Sequence, residues 1–381
     1  MRGTPKSWEP AGAVRLSPHL PLYVAGAASV LAMGLIHFLS RDTTIEYSDE
    51  MIAAAELMRE ATSKTRAFCD SVGIEIDETI DPNRTCLIGP ELTPLMTTLG
   101  HLDAKRTTTD PTMASLMVHL LERAGVTTGD TIAVGSSASF PALLLATLAA
   151  SEAMQVHPVV IISLGSSTYG ATNPDFNLLH IYELLLRDNV FTVPPAAISL
   201  GGGRDVGEEF GQATEDRLLR QISSSEAPFI YDRELVSNVR TRMSVYLGGN
   251  GVQRVAAFVN CGGSFANLGT SQLALELKPG INQNVSVPPE RQRGVLFEMA
   301  AENVPLIHLL FMRGLALRYG LPWDPIPLND PGEVPLVQNL SEDSRLYWAV
   351  GVPYLVLISL LVAVQAHLEW RKEKAPGTDL G

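Results

Sequence analysis

Cysteine, aromatic residues and charge are all scarce in this chain of 381 residues. Its three cysteines, Cys69, Cys86 and Cys261, cannot all pair within one chain, which excludes a disulfide-built scaffold. Pairing of Cys69 with Cys86 stays open, because a sequence gives no geometry. Aromatic residues are 6% and charged residues 18% of the chain, against 46% hydrophobic. That charge fraction is low for a soluble protein, and mean hydropathy is +0.13. There is no cluster of basic residues: 28 Lys and Arg face 41 Asp and Glu, a net of −13. Phosphate neutralisation needs clustered cations, so this balance argues against nucleic acid as a partner. The 31 Gly and 25 Pro are too few and too scattered for a disordered or collagen-like chain. Neither a fixed-period repeat nor a low-complexity linker is visible.

The apolar excess is concentrated at the two ends. Residues 20–39, LPLYVAGAASVLAMGLIHFL, and 347–367, YWAVGVPYLVLISLLVAVQAH, contain no Asp, Glu, Lys or Arg. Each is long enough to cross a hydrocarbon core of about 30 Å as a helix. Tyr347, Trp348 and Trp370 sit where interfacial aromatics belong. The first run is long for the apolar part of a signal peptide and lacks a clean small-residue cleavage pattern, so it is expected to stay as an anchor. Arg2, Lys6 and Arg15 precede the first run; Arg371, Lys372 and Lys374 follow the second. The positive-inside rule then places residues 1–19 and 368–381 in the cytoplasm, with residues 41–346 outside the cytoplasmic membrane. Without the six basic and four acidic residues of the two ends, the chain between them carries 22 basic and 37 acidic residues, a net of −15.

Within that outer domain the pattern is α/β. Ser48 or Asp49 is placed to cap a helix that runs to about Val72 and stops at Gly73. From about residue 111, helical stretches alternate with the apolar runs TIAVG, HPVVIISLG, AAISLGGG, RVAAFVNCGG and VPLIHLL. Such runs predict a mostly parallel sheet with helices on both faces, flanked here by the two transmembrane helices. The proline-rich GLPWDPIPLNDPGEVP reads as an extended strap before the second apolar run.

Four strands end in small-residue loops: Gly135–Ser139, Gly165–Gly170, Gly201–Asp205 and Asn260–Ser264. In an open parallel sheet all four lie on the carboxyl edge, where ligands bind. Helix N-termini behind such loops suit a carboxylate or phosphate. Ser136, Ser166, Ser167, Gly202, Arg204 and Gly263 are therefore candidate ligand-binding positions. The competing reading is that Gly and Ser are ordinary turn residues. GSSAS lacks the last glycine of a nucleophile elbow. Ser137, Ser139, Ser264 and Cys261 remain candidate nucleophiles beside helix-capping or structural readings of each. GGGRDVG fits neither a dinucleotide-binding nor a P-loop pattern. His101-Leu102-Asp103 alone does not make a metal site. No cofactor and no metal are expected. The stretch from Thr97 to Pro111 brings together hydroxyls, acids and the pair Lys105-Arg106. It reads either as a carboxylate-binding element, with Lys105 also available as a base, or as a solvated, helix-capping loop.

The stretches TTLGHLDAKRTTTDP, GVTTGDTIAVGSSASFPAL, VVIISLGSSTYGATNPDF, AAISLGGGRDVG and YGLPWDPIPLNDPGE resemble the poly-gamma-glutamate system protein family. They span most of residues 95–332. The resemblance implies a membrane-associated accessory to the synthesis, export, anchoring or trimming of a γ-linked glutamate polymer. It carries over no catalytic residue. The chain departs from the family pattern at His101, where the family has a small residue, which weakens His101 as a base. Three readings follow. The first is an accessory domain that binds the polymer or γ-glutamyl oligomers through Lys105, Arg106, Arg204 and helix N-termini. The second is a γ-glutamyl hydrolase or transpeptidase. The third is a scaffold that holds polyglutamate synthase or export subunits through its spans. The first is the leading expectation.

Overall fold

The five apolar runs form the centre of one sheet. The computed structural model describes residues 19–39, 43–249, 254–338 and 344–374. Its sheet contains β1 Thr131–Ser137, β2 His157–Ser163, β3 Ala197–Ser199, β4 Phe229–Ile230, β5 Ala257–Cys261, β6 Gly280–Asn282 and β7 Leu306–Leu309. The strand order is β4-β3-β2-β1-β5-β7-β6, and only the pairing of β7 with β6 is antiparallel. The edge strands β4 and β6 are two and three residues long, too short to give a periodic signal. Side chains along a strand alternate between faces. Ile132, Val134 and Val259 accordingly enter one apolar cluster, and Ala133, Phe258 and Ile161 the other.

The helices, in chain order, are α1 Leu20–Leu39, α2 Asp49–Val72, α3 Leu102–Thr108, α4 Thr112–Arg123, α5 Pro141–Ala153, α6 Leu178–Arg187, α7 Gln212–Ser224, α8 Leu235–Tyr246, α9 Phe265–Leu268, α10 Leu273–Glu276, α11 Val295–Ala301, α12 Met312–Tyr319 and α13 Ser344–Lys374. Helix α5 is apolar on every side and buried from Pro141 to Ser151, as befits a helix covered by others. It packs against α2 and α4 on the face that also carries α6. The opposite face is covered by α8 and α11. Helix α2 starts where expected, with the Met51 N–H donating to Ser48 Oγ, and ends at Gly73 in the left-handed region, φ 74°. Cys69 near its end is disulfide-bonded to Cys86, and Cys261 is free and buried.

The stretch from Thr97 to Pro111 is not a solvated loop. It contains α3, and Lys105, Thr107, Thr108, Thr109 and Asp110 are buried. The threonines make this possible by bonding to their own backbone: Thr107 donates to Asp103 O, Thr108 to Lys105 O and Thr109 to Arg106 O. The proline-rich strap folds onto the same helix. The Asp324 N–H donates to Thr107 Oγ1, and the backbone and side-chain N–H groups of Asn329 donate to Asp110.

The chain divides into two compact units, residues 44–338 and the paired ends 1–43 with 339–381. The first lies within the expected 41–346. In the second, Leu20–Phe38 and Trp348–His367 are long and apolar enough to cross a membrane, with hydropathy 1.6 and 2.1. Helix α13 runs past both ends of the expected 347–367 span. Helix α1 half-buries Ala25, Ser29, Ala32 and Ile36; α13 half-buries Gly351, Tyr354, Ile358 and Leu361. Ser29 Oγ and Tyr354 Oη are 2.8 Å apart, a hydrogen bond that joins the two helices. Of the expected cytoplasmic ends, residues 1–18 and 375–381 lie outside the described residues.

Candidate functional site

The carboxyl ends of the strands meet at a reversal of strand order. From β1 the chain builds outward through β2, β3 and β4, then crosses to β5 on the other side of β1. Loops diverge at such a point and leave a crevice. A cavity of about 380 Å³ opens there. Its lining draws on the loops after β1 (Ser139, Phe140), after β2 (Ser167), after β5 (Gly263) and after β7 (Leu310 to Arg313), closed by α3 and Trp323.

A short parallel pairing of Met96–Thr98 with Ser166–Ser167 brings α3 to this crevice. The Thr168 N–H donates to Thr98 O at 3.0 Å, and the Gly100 N–H to Thr168 Oγ1 at 2.7 Å. The chain passes so close at Gly100 that a Cβ would lie 2.9 Å from Ser167 Oγ and 3.1 Å from Lys105 Cε. Only glycine fits there without moving those side chains.

Lys105 then points inward and is 1% exposed. Its Nζ lies 2.7 Å from Ser167 Oγ, is bonded to Ser139 O, and sits 3.6 Å from the centre of the Phe140 ring. Among the described residues no carboxylate pairs with it. Burial pulls its pKa down from 10.5 to about 7. Ser139 holds both groups of the pair: its carbonyl accepts from Lys105, and its Oγ accepts the Ser167 N–H at 2.9 Å. A buried amine near neutrality beside a hydroxyl is an arrangement in which the amine can take the hydroxyl proton.

Most of the other sequence-predicted residues fall elsewhere. Ser166 Oγ donates to Ala138 O and to Ser167 O, which fixes the loop. Ser136 is buried, its hydroxyl near Ser137 O at 3.4 Å. Ser137 Oγ is buried without a hydrogen-bond partner. Ser264 caps α9 by accepting the Asn267 N–H. Cys261 is fully buried beside Thr147, and burial pushes its thiol up to about 12, which leaves no thiolate for catalysis. Arg106 makes a bidentate pair with Asp324, at 2.6 and 2.5 Å, and so serves the strap. Arg204 is largely exposed and 3.4 Å from Glu208. Gly202, at φ 67°, belongs to the turn that carries Asp205 into a buried cluster with Ser199, Asn238 and Arg242. His101 and Gly263 line the cavity.

Sequence reasoning missed three features. Ser167 stood among binding residues rather than nucleophiles. Phe140 and Arg313 were not singled out. An unpaired lysine in a stretch rich in buried hydroxyls is the signal that points to the first. Among the described residues no group of three or more His, Cys, Asp or Glu could hold a metal ion. A larger groove of about 1100 Å³ runs beside the disulfide. Of its four acids, Glu78 and Asp175 are paired with Arg84 and Arg217 and Asp77 accepts from Thr79, and its lining holds no serine, threonine, lysine or histidine. No protein-family model, curated protein or solved structure matches this chain.

Proposed function

We propose that this chain is a membrane-anchored acyl-transfer enzyme, with Ser167 as nucleophile and Lys105 as its base, that cleaves or transfers γ-glutamyl amide bonds of a γ-linked glutamate polymer. The observation that carries the chemistry is the 2.7 Å approach of Lys105 Nζ to Ser167 Oγ at the foot of a cavity. The polymer as substrate rests on the family resemblance of residues 95–332. Both apolar helices anchor the protein, and the arginine and lysine bias puts the domain outside the cytoplasmic membrane. The Cys69–Cys86 disulfide fits that oxidising side.

In this reading the free amine of Lys105 accepts the Ser167 Oγ proton as Oγ bonds to the carbonyl carbon. The tetrahedral centre collapses, the C–N bond breaks, and Lys105 returns its proton to the leaving amine. Water or a second amine then attacks the ester carbon, gives its proton to Lys105, and releases Ser167 with that proton restored. A serine–lysine pair is a known variant of the serine–histidine arrangement. A pKa near the working pH suits one group acting as base and then acid.

A non-catalytic accessory role, in which the domain holds the polymer, has one observation in its favour: Ser167 is 5% exposed, so access to it is narrow. That role draws less support from Arg106 and Arg204, whose charges are committed to Asp324 and Glu208. The experiment is incubation of full-length detergent-solubilised protein with γ-linked glutamate oligomers, followed by mass spectrometry. Shorter oligomers made by the wild type and lost in both Ser167→Ala and Lys105→Met support the enzyme. Binding by all three proteins with no product supports the accessory role instead.

A further inference from the structure

The mouth of the cavity carries one arginine and one aspartate, Arg313 and Asp103. Arg313 lines it from the first turn of α12, with its guanidinium 5.7 Å from the centre of the Trp323 ring. A cation at a helix N-terminus opposes the helix dipole, so this placement does not serve α12. Arg313 is exposed, and its guanidinium is in no salt bridge among the described residues. Asp103 of α3 also lines the cavity, with one oxygen held by the Ala104 N–H. The wall between is apolar: Leu99 is 80% exposed and Phe311 61% exposed. Large apolar side chains in open water at a cavity mouth mark a surface meant to be covered.

We infer that this mouth recognises an α-amino-acid head group, with Arg313 taking its carboxylate, Asp103 its ammonium, and Leu99, Phe311 and Trp323 the methylenes that lead inward to the carbonyl attacked by Ser167. The inference rests on the Ser167–Lys105 reading and names the acyl donor for that site. It predicts action at a chain end that bears a free amine, because one cation and one carboxylate recognise a single zwitterion and do not form a track for a polyanion. Guanidinium and carboxylate meet in a bidentate, charge-assisted geometry, which makes Arg313 the stronger of the two determinants.

Three p-nitroanilides separate the contributions: γ-glutamyl carries amine and carboxylate, glutaryl the carboxylate alone, and butyryl neither. The full-length solubilised protein should rank them in that order by kcat/KM. Arg313→Met should abolish the advantage of glutaryl over butyryl, a loss of about 10- to 100-fold for a charge-assisted contact. Asp103→Asn should remove most of the advantage of γ-glutamyl over glutaryl, about 10-fold. Unchanged melting temperatures of both variants exclude misfolding as the cause. Cleavage that depends on Ser167 but shows the same ranking in wild type and variants overturns the head-group assignment and leaves the nucleophile standing. A fluorophosphonate adduct on Ser167 with none of the anilides cleaved overturns it too. Neither cleavage nor adduct in any combination removes the underlying reading itself.

Discussion

Lys105 opposes the folding of the domain that contains it. Its pKa falls from 10.5 in the unfolded chain to about 7 in the folded one. Each pKa unit is 1.36 kcal/mol, so holding it charged below pH 7 costs on the order of 5 kcal/mol. Between about pH 7 and 10 the unfolded chain binds more protons than the folded one, and stability rises with pH across that window. Lys105→Met should therefore raise stability at pH 6 by roughly 1–3 kcal/mol after loss of its hydrogen bonds, with a smaller gain at pH 9, as chemical denaturation at the two pH values would reveal. A variant destabilised at pH 6 would mean the lysine serves the fold. His308 follows the same logic at lower pH. It is buried, its Nδ1 lies 3.2 Å from Asn260 Nδ2, and burial lowers its pKa to about 4. Stability present above pH 6.5 is lost as pH falls towards 4, by roughly 3 kcal/mol. His308→Gln should flatten that acid limb of the denaturation profile.

Three short elements decide whether Ser167 and Lys105 meet: the Met96–Thr98 pairing with Ser166–Ser167, the close pass at Gly100, and α3. Gly100→Ala should lower the melting temperature modestly and kcat/KM by about 10- to 100-fold, because the added Cβ must push aside Ser167 Oγ, the Thr168 carbonyl and Lys105 Cε, and displacement of a reacting atom by a fraction of an ångström is enough. Equal activity of that variant would show that the pair tolerates loose geometry. The long elements were legible in the sequence. The helix from Ser48 to Gly73 was readable from cap to stop, and the five central strands from their continuous apolar runs. Helix α3 was not: His101-Leu102-Asp103-Ala104-Lys105-Arg106 has no apolar periodicity, and what buries it is the strap that docks through Arg106 and Asp324, 218 residues away. The site was half legible for the same reason. Its loops could be placed on one sheet edge, but the partner of Ser167 arrives through a pairing remote in sequence from the β2 loop.

At the scale of the whole molecule, an acidic domain and two apolar helices are joined in one chain. The Ser29–Tyr354 hydrogen bond offers the paired helices a contact worth about 0.6 kcal/mol in a bilayer. The proposed placement of the domain outside the cytoplasmic membrane predicts that Leu275→Cys, at a position 76% exposed, reacts with a membrane-impermeant maleimide in intact cells. The native thiols should stay silent, two in the disulfide and Cys261 buried. Labelling that appears only after lysis would put the domain in the cytoplasm, away from any extracellular polymer.

Activation of Ser167 by Lys105 is open to direct measurement through the rate at which a fluorophosphonate phosphonylates the full-length solubilised protein, with loss of fluoride, at a series of pH values, with the adduct mapped by mass spectrometry. The adduct should form on Ser167, its rate should climb with a midpoint near pH 7, the value burial gives Lys105, and Lys105→Met should abolish the climb. An adduct on another serine, or a rate on Ser167 that ignores both pH and the loss of Lys105, would contradict the assignment of this pair as nucleophile and base.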